Sequence, residues 1–134
     1  MLRKFIFRCM CMMFILLLTG CLSDTKYDYE KTLDSVELIQ ILNVEDGEEN
    51  VLFETNDTVI LDEIQNLKCW QYWNDPPSSV GGVVVKVCYN DGSYELISHY
   101  CNAYYNGKKL KYGRYYFVES EFESTILKYI ENHE

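Results

Sequence analysis

The stretch VVVKVCYNDGSYELISHY, residues 83–100, decides the fold. Its two halves are rich in β-branched and aromatic residues, which favour strands. Between them stands Asp91-Gly92, a strong signal for a two-residue hairpin turn. In a hairpin of that kind Cys88 is predicted to lie opposite Glu95. The chain is therefore expected to build an antiparallel sheet around this hairpin.

Further strands are predicted on both sides of the hairpin. SVELIQILN, residues 35–43, carries apolar side chains on both faces, a pattern typical of a strand covered on two sides. VLFET, residues 51–55, follows an acidic turn and reads as a second strand. Downstream, Asn106-Gly107 marks another tight turn between short strands rich in tyrosine.

Two helices are predicted, near residues 57–67 and 121–131, because apolar residues recur there at helical spacing. Ser120 and Glu123 form the S-x-x-E pattern of a capping box at the start of the second helix. We expect residues 35–132 to form a single α+β domain, a small antiparallel sheet with two helices packed on it.

The first 21 residues have the order of a secretory signal. An uninterrupted apolar run of about 10 residues is too short to span a bilayer, so the segment is predicted to be cleaved. The parts are the basic Arg3, Lys4 and Arg8, the apolar residues 9–18, and the small pair Thr19-Gly20, which is followed by Cys21.

Leu18-Thr19-Gly20-Cys21 resembles the lipobox of bacterial lipoproteins. The resemblance implies that residues 1–20 are removed and that lipid is attached to the sulfur of Cys21. The protein would then be anchored in the cell membrane on its extracytoplasmic face. Residues 21–34 are predicted to be a flexible tether, with Tyr27 and Tyr29 as an alternative strand start. The alternative for Cys21 is an ordinary secretory signal with an accidental cysteine.

A second resemblance is looser and spans most of the chain after the signal. The strand VELIQI, the hairpin DGSYELIS and the terminal helix are similar to the layout of small uncharacterised lipoproteins of low-GC Gram-positive bacteria. This resemblance implies the fold and the location at the membrane, and it implies no activity.

The charge balance argues against nucleic acid as a partner. Loss of the signal leaves nine cationic residues against 21 carboxylates, a net charge of about −12. An acidic domain is repelled by anionic lipid, so we expect the lipid anchor to hold it without the domain lying on the membrane surface. Nucleic-acid binding would need a basic face.

The aromatic stretch CWQYWNDPPSSVGG, residues 69–82, carries the predicted contact site. Loops on a rigid scaffold often carry function, and flat aromatic rings stack on sugars or on prolines. Trp73 and Tyr72 are the candidate ligand contacts, with burial in the core as the alternative for Trp73. Trp70 is predicted to point into the core.

A basic cluster stands out locally in the acidic chain. Its residues are candidate contacts for phosphate groups of lipids or wall polymers, and the alternative is a solvated turn with charged edge residues. The cluster comprises Lys108, Lys109, Lys111 and Arg114.

No catalytic or cofactor motif is found in the sequence, so no cofactor is predicted. His99 and Cys101 share one face of a strand, but no CxxC or HxxxH supplies further ligands, and no metal site is expected. The carboxylates are numerous, and none stands out in an apolar setting. A binding or interaction module for a wall or protein partner is therefore predicted. The alternatives are an inhibitory, immunity-type or structural envelope protein and, less favoured, a small enzyme.

Three cysteines remain after the lipidated one, namely Cys69, Cys88 and Cys101. The predicted hairpin separates Cys88 from Cys101 by roughly 20 Å, and a disulfide tolerates Cα separations only up to about 7 Å. The open alternatives are Cys69–Cys88, Cys69–Cys101, or three free thiols.

Replacement of the lipidated residue provides the first test. Cys21→Ser should release the protein from the membrane fraction, because no thiol would then accept the lipid. Fractionation with mass spectrometry of the N-terminus measures this. A variant that stays membrane-bound, together with intact protein that retains residues 1–20, would show that the lipobox interpretation is wrong.

Overall fold

The structure is a computed structural model that describes residue 6 and residues 25–71, 81–100, 102–106, 109–112 and 115–134. For residues 71, 103–106 and 109–112 the description covers the backbone only. No helix within these residues is both long enough and apolar enough to cross a membrane.

Six strands form one antiparallel sheet within the described part of the chain, in the order β2-β1-β4-β5-β6-β7. A separate two-stranded ribbon consists of β3 and β8. The strands are β1 (Val36–Glu45), β2 (Glu48–Thr55), β3 (Cys69–Gln71), β4 (Gly82–Tyr89), β5 (Tyr94–Ile97), β6 (Asn102–Asn106), β7 (Lys109–Tyr112) and β8 (Tyr115–Phe117).

Among the described residues from 25 onward there are two α-helices, α1 (Val59–Asn66) and α2 (Glu119–His133), and a 3-10 turn, Leu33–Ser35, precedes β1. The predicted α+β class with two helices near 57–67 and 121–131 is confirmed. One face of the large sheet and both helices bury their apolar side chains in a common core. Its members include Ile39, Ile41, Val85, Val87 and Ile97 from the sheet and Ile60, Leu61, Ile64, Phe122, Ile126 and Ile130 from the helices.

The hairpin between β4 and β5 differs from its predicted register by one residue. The backbone N–H of Tyr89 donates to the carbonyl of Ser93 at 2.8 Å, which leaves a loop of three residues. Gly92 adopts φ +83°, whereas Asp91 does not have a positive φ. A two-residue type I′ turn needs positive φ at both central residues, so a three-residue loop with glycine in the left-handed region forms instead.

This register changes which residues of β4 and β5 lie opposite each other. Val87 lies opposite Glu95, and Cys88 lies opposite Tyr94. Because directly paired residues share a face of the sheet, Glu95 joins Val87 on the core face. Cys88 lies on the other face, while Cys69 is in the core, and both are free thiols. Burial raises the pKa of both thiols.

The predicted flexible tether is also corrected, because the described part of it packs on the domain. Tyr27 is 3% exposed and belongs to the core, and Tyr29 and Leu33 pack against that core. Thr25 forms an antiparallel bridge with Cys69. Aromatic side chains in this charged stretch supply the apolar area that holds it in place, so the folded unit begins at least ten residues before residue 35.

The predicted capping box at α2 does not form. The helix begins at Glu119 with Val118 at its N-cap, so Ser120 lies inside the first turn. Phe117, at the end of β8, is fully buried, and only Val118 separates it from the helix. Burial of Phe117 therefore sets where the chain turns from strand to helix, and Glu123 is left free for other contacts.

Replacement of Gly92 tests the hairpin loop. Gly92→Ala should lower the free energy of unfolding by about 1 kcal/mol, because a Cβ disfavours the left-handed region. A Cβ at this position would meet no atom within 4 Å, so the loss comes from the backbone alone. Denaturant unfolding followed by circular dichroism measures it.

Gly92→Asn is the matched control, since asparagine tolerates positive φ better than other non-glycine residues. It should lose less stability than Gly92→Ala. Equal losses from both variants, or none from either, would contradict the three-residue loop.

Candidate functional site

The residues predicted to form contact sites fall mostly outside the described residues. Lys109 and Lys111 lie in β7, an edge strand of the large sheet, where the backbone alone is described. The contact roles of the predicted residues stay predictions. Outside the described ranges lie Cys21, Tyr72, Trp73, Cys101, Lys108 and Arg114.

Trp70 is exposed, against the prediction that it points into the core. Its exposed fraction is 48%, whereas its neighbour Cys69 is 4% exposed. The Cys69 thiol donates to the carbonyl of Thr25 at 2.8 Å, so residues 25–34, here called the N-terminal segment, cover the Cys69 side of β3. Since side chains alternate along a strand, Trp70 then faces outward. This contact with a residue 44 positions away could not be read from the local pattern.

Trp70 and Tyr116 together form an exposed aromatic pair. They are directly opposite each other in the antiparallel β3–β8 ribbon. Their ring centroids are 6.1 Å apart with an angle of 43° between the ring planes, and Tyr116 is 44% exposed. An outward pair of large rings offers a flat surface that can stack on a ligand. We call these two residues the aromatic pair.

The aromatic pair adjoins the predicted contact loop along the chain. β3 ends at Gln71, so Tyr72 and Trp73 follow it immediately in sequence. The β3–β8 ribbon thus holds one end of that loop on a defined scaffold. The exposed aromatic residues of the ribbon, Trp70 and Tyr116, were not predicted as contacts, and the roles of Tyr72 and Trp73 stay predictions.

A second feature is Glu95, a carboxyl group buried in the core with 2% exposure. Its Oε1 accepts a hydrogen bond from the Tyr27 hydroxyl at 2.8 Å. Its Oε2 accepts one from the Glu30 backbone N–H at 3.1 Å and one from the Tyr89 hydroxyl. Both carboxyl oxygens are therefore occupied by donors, two of which belong to the N-terminal segment.

Burial determines the electrostatics of this cluster. Loss of hydration raises the pKa of Glu95 above its ordinary 4.5, and the three donors offset part of that rise. Burial and the neighbouring carboxyl raise the pKa of Tyr27 and Tyr89 well above 10, so both hydroxyls keep their protons and donate. The arrangement fastens the N-terminal segment to the β4–β5 hairpin.

An outer contact reinforces this attachment. Lys31 forms an ion pair with Asp91 in the hairpin loop and donates to the Ser93 hydroxyl at 2.7 Å. The hydrogen bond from Lys31 is the largest cause that lowers the pKa of Asp91, and the hydroxyl and backbone N–H of Ser93, which also donate to this carboxylate, lower it further. The Lys31 ammonium also lies 5.4 Å from the centre of the Tyr89 ring.

No local signal in the sequence points to the role of Glu95. The predicted register placed it opposite Cys88, a pairing that gives no reason for its carboxyl to be buried. Only the three-residue loop turns it inward. A buried carboxyl beside two aromatic hydroxyls could have been found by testing the alternative register against the tyrosines of the N-terminal segment.

A shallow pocket of about 400 Å³ lies between α1 and α2. It is mostly polar, whereas ligand pockets are mostly apolar with a few convergent polar groups. Its lining consists of Glu63, Asn66, Thr125, Lys128, Tyr129 and Asn132. The aromatic pair is therefore the stronger candidate for ligand contact.

Comparison with known proteins returned no match, whether by protein family, among curated proteins or among solved structures.

The buried carboxyl predicts a pH dependence of stability. A group with a raised pKa in the folded state binds more protons there than in the unfolded chain. The stability that the protonated Glu95 carboxyl adds to the folded state is fully present below pH 4.5. It is lost as the pH rises through the folded-state pKa of Glu95. The stability of Glu95→Gln relative to the natural protein should therefore increase with pH above 4.5 and then level off. Thermal unfolding across a pH series measures this difference.

Asp91→Asn, on the same hairpin, provides a control of opposite sign. The pKa of Asp91 is lowered in the folded state, so its contribution is lost as the pH falls. Relative to the natural protein, this variant should become less stable with rising pH. If Glu95→Gln instead follows the natural protein in parallel at every pH, the carboxyl is not buried as described.

Proposed function

We propose that this protein is a membrane-anchored extracytoplasmic lipoprotein that acts as a binding module, with the aromatic pair as its contact surface. The observation that carries the proposal is the outward placement of Trp70 and Tyr116 on a short ribbon. Two adjacent exposed rings form an apolar patch, and tryptophan and tyrosine supply a large share of the energy in many contacts.

The attachment of the N-terminal segment to the domain supports a position of the aromatic pair close to the membrane. If lipid is attached to Cys21, only four residue steps separate the anchor from Thr25. Fully extended, they span about 14 Å. Thr25 bridges to Cys69, which precedes Trp70 in β3. The aromatic pair would thus be held near the anchored end of the domain.

Wall glycan is the ligand class that this surface suits best. Sugar rings present flat C–H faces that stack on aromatic rings, and such stacking needs no charge on the protein. The strong negative charge of the chain after signal removal, about −12, disfavours polyanionic wall polymers. A neutral glycan strand avoids that repulsion.

A partner protein is the second candidate, and β2 is the observation that favours it. β2 is an edge strand, and it exposes Val51 by 52% and Leu52 by 44%. Exposed edges with apolar side chains can accept a strand from another protein. This surface would suit an inhibitory, immunity-type or structural envelope protein, whose partner pairs along β2.

Substitution of the aromatic pair tests the binding proposal. Trp70→Ala should weaken co-sedimentation with purified peptidoglycan at least about tenfold, because an exposed aromatic anchor supplies a large share of contact energy. Tyr116→Ala should act in the same direction. Neither variant should alter the melting temperature by more than a few degrees, since both side chains are about half exposed.

Leu127→Ala is the matched control, because Leu127 is 42% exposed on α2, which is not part of the ribbon. It should leave co-sedimentation unchanged. Equal binding by all three variants would overturn the aromatic pair as the contact surface. If Leu52→Asp abolishes crosslinking to a partner protein in cells while Trp70→Ala does not, the second candidate is favoured.

A further inference from the structure

We propose that His99, Glu119 and Glu123 form a binding site for a zinc ion. Each of the three side chains offers one ligand atom, and these atoms all lie within 4.8 Å of one another. A histidine nitrogen combined with two carboxylate oxygens is a ligand set that suits zinc. In the sequence, His99 stands two residues from Cys101 with no CxxC or HxxxH nearby, so no metal site was expected there.

The backbone brings these residues together before any ion binds. Glu119 and Glu123 are one helical turn apart at the start of α2, so their side chains share a face. The carbonyl of His99 accepts a hydrogen bond from the N–H of Phe117 at 2.7 Å. Phe117 precedes Glu119 by two residues, so this bond positions the His99 backbone against the chain that enters the helix.

In the described part of the chain, no ion pair balances the charge of these two carboxylates. The ion pairs found in the described part of the chain are Lys31–Asp91 and Lys86–Glu49, and neither Glu119 nor Glu123 takes part in one. Two such groups close together repel each other. A divalent cation between them would replace this repulsion with attraction, and His99 would add a nitrogen ligand.

The geometry requires only small movements of side chains. Tetrahedral zinc with bonds of about 2.0–2.1 Å places its ligand atoms about 3.4 Å apart. Glu119 is exposed, while His99 and Glu123 are half-buried, so rotation about side-chain bonds can close the present spacing and an ion can enter from solvent. Three protein ligands leave a fourth position for water or for an outside donor.

Gly82 borders the site and leaves it room. A Cβ built at Gly82 would lie 3.8 Å from Glu123 Oε1, so this carboxylate reaches the start of β4 without a side chain in the way. The site would join three parts of the fold: the β5–β6 connection through His99, the first turn of α2, and the start of β4. Bound zinc would thus lock the helix start onto the sheet.

Calcium is the less suitable ion, because it prefers six to eight oxygen ligands and gains nothing from imidazole.

The zinc site does not depend on the lipid anchor or on the aromatic pair. None of the three proposed ligands belongs to either feature, so failure of one proposal leaves the other intact.

Titration of the metal-free full-length protein with Zn²⁺ against a chromophoric chelator tests the site. One zinc should bind per chain at this site. His99→Ala and Glu123→Gln should each weaken that binding at least about tenfold, because each removes a ligand outright. Circular dichroism of each variant should match that of the natural protein, since none of the three side chains belongs to the core.

Two control variants distinguish this site from adventitious binding. Glu121→Gln removes a carboxylate from the same helical turn, and His133→Ala removes the other histidine beyond the signal. Both should keep the natural affinity. Unchanged affinity in His99→Ala, or equal weakening by the controls, would overturn the proposal.

Substitution of Co²⁺ for Zn²⁺ identifies the ligand atoms. A site of one nitrogen and two oxygens should give ligand-field absorption without a thiolate charge-transfer band. Appearance of that band on the one bound metal would assign it to cysteines and overturn the proposal. Tight Ca²⁺ binding that persists in His99→Ala would do so as well, since it would show a carboxylate site that needs no histidine.

Discussion

The register of the β4–β5 hairpin is the constraint on which the rest of the structure depends. A slip of one residue exchanges the two faces of a strand. With Gly92 in the left-handed region and a three-residue loop, Glu95 turns into the core instead of toward solvent. A carboxyl in that position must be hydrogen-bonded, because an unpartnered buried charge is costly. Tyr89 and Tyr27 supply the hydroxyl donors, and so the hairpin determines where the N-terminal segment lies.

That attachment changes how the domain relates to its proposed anchor. A flexible tether of fourteen residues would let an acidic domain drift away from an anionic membrane. With Tyr27 buried and Lys31 paired to Asp91, the segment from Thr25 onward belongs to the folded unit. Any anchor at Cys21 would then hold one end of the domain close to the lipid surface despite the repulsion. The distance between anchor and binding surface is set by packing rather than by the statistics of a coil.

The chain from β8 into α2 connects the two proposed sites. Tyr116 completes the aromatic pair, Phe117 binds the carbonyl of His99, and Glu119 offers the first carboxylate. Because side chains alternate along β8, Tyr116 faces outward while Phe117 fills the core. One buried phenylalanine therefore positions a contact surface on one side and a metal-ligand group on the other. A ligand on the aromatic pair and an ion at His99 would both act on this short connection.

The sequence by itself determined the α+β class, the approximate limits of both helices and the location of the hairpin. These features rest on periodicity and turn composition, which are local properties of the chain. Tertiary structure alone decided the hairpin register, the outward position of Trp70, the end of the tether and the grouping of His99 with Glu119. The register is the one that buries Glu95 against Tyr27, 68 positions away, and the other three features depend on contacts such as Thr25 with Cys69 and His99 with Phe117. A local pattern cannot encode which face of a strand a distant segment will cover, and that covering decides which side chains are buried.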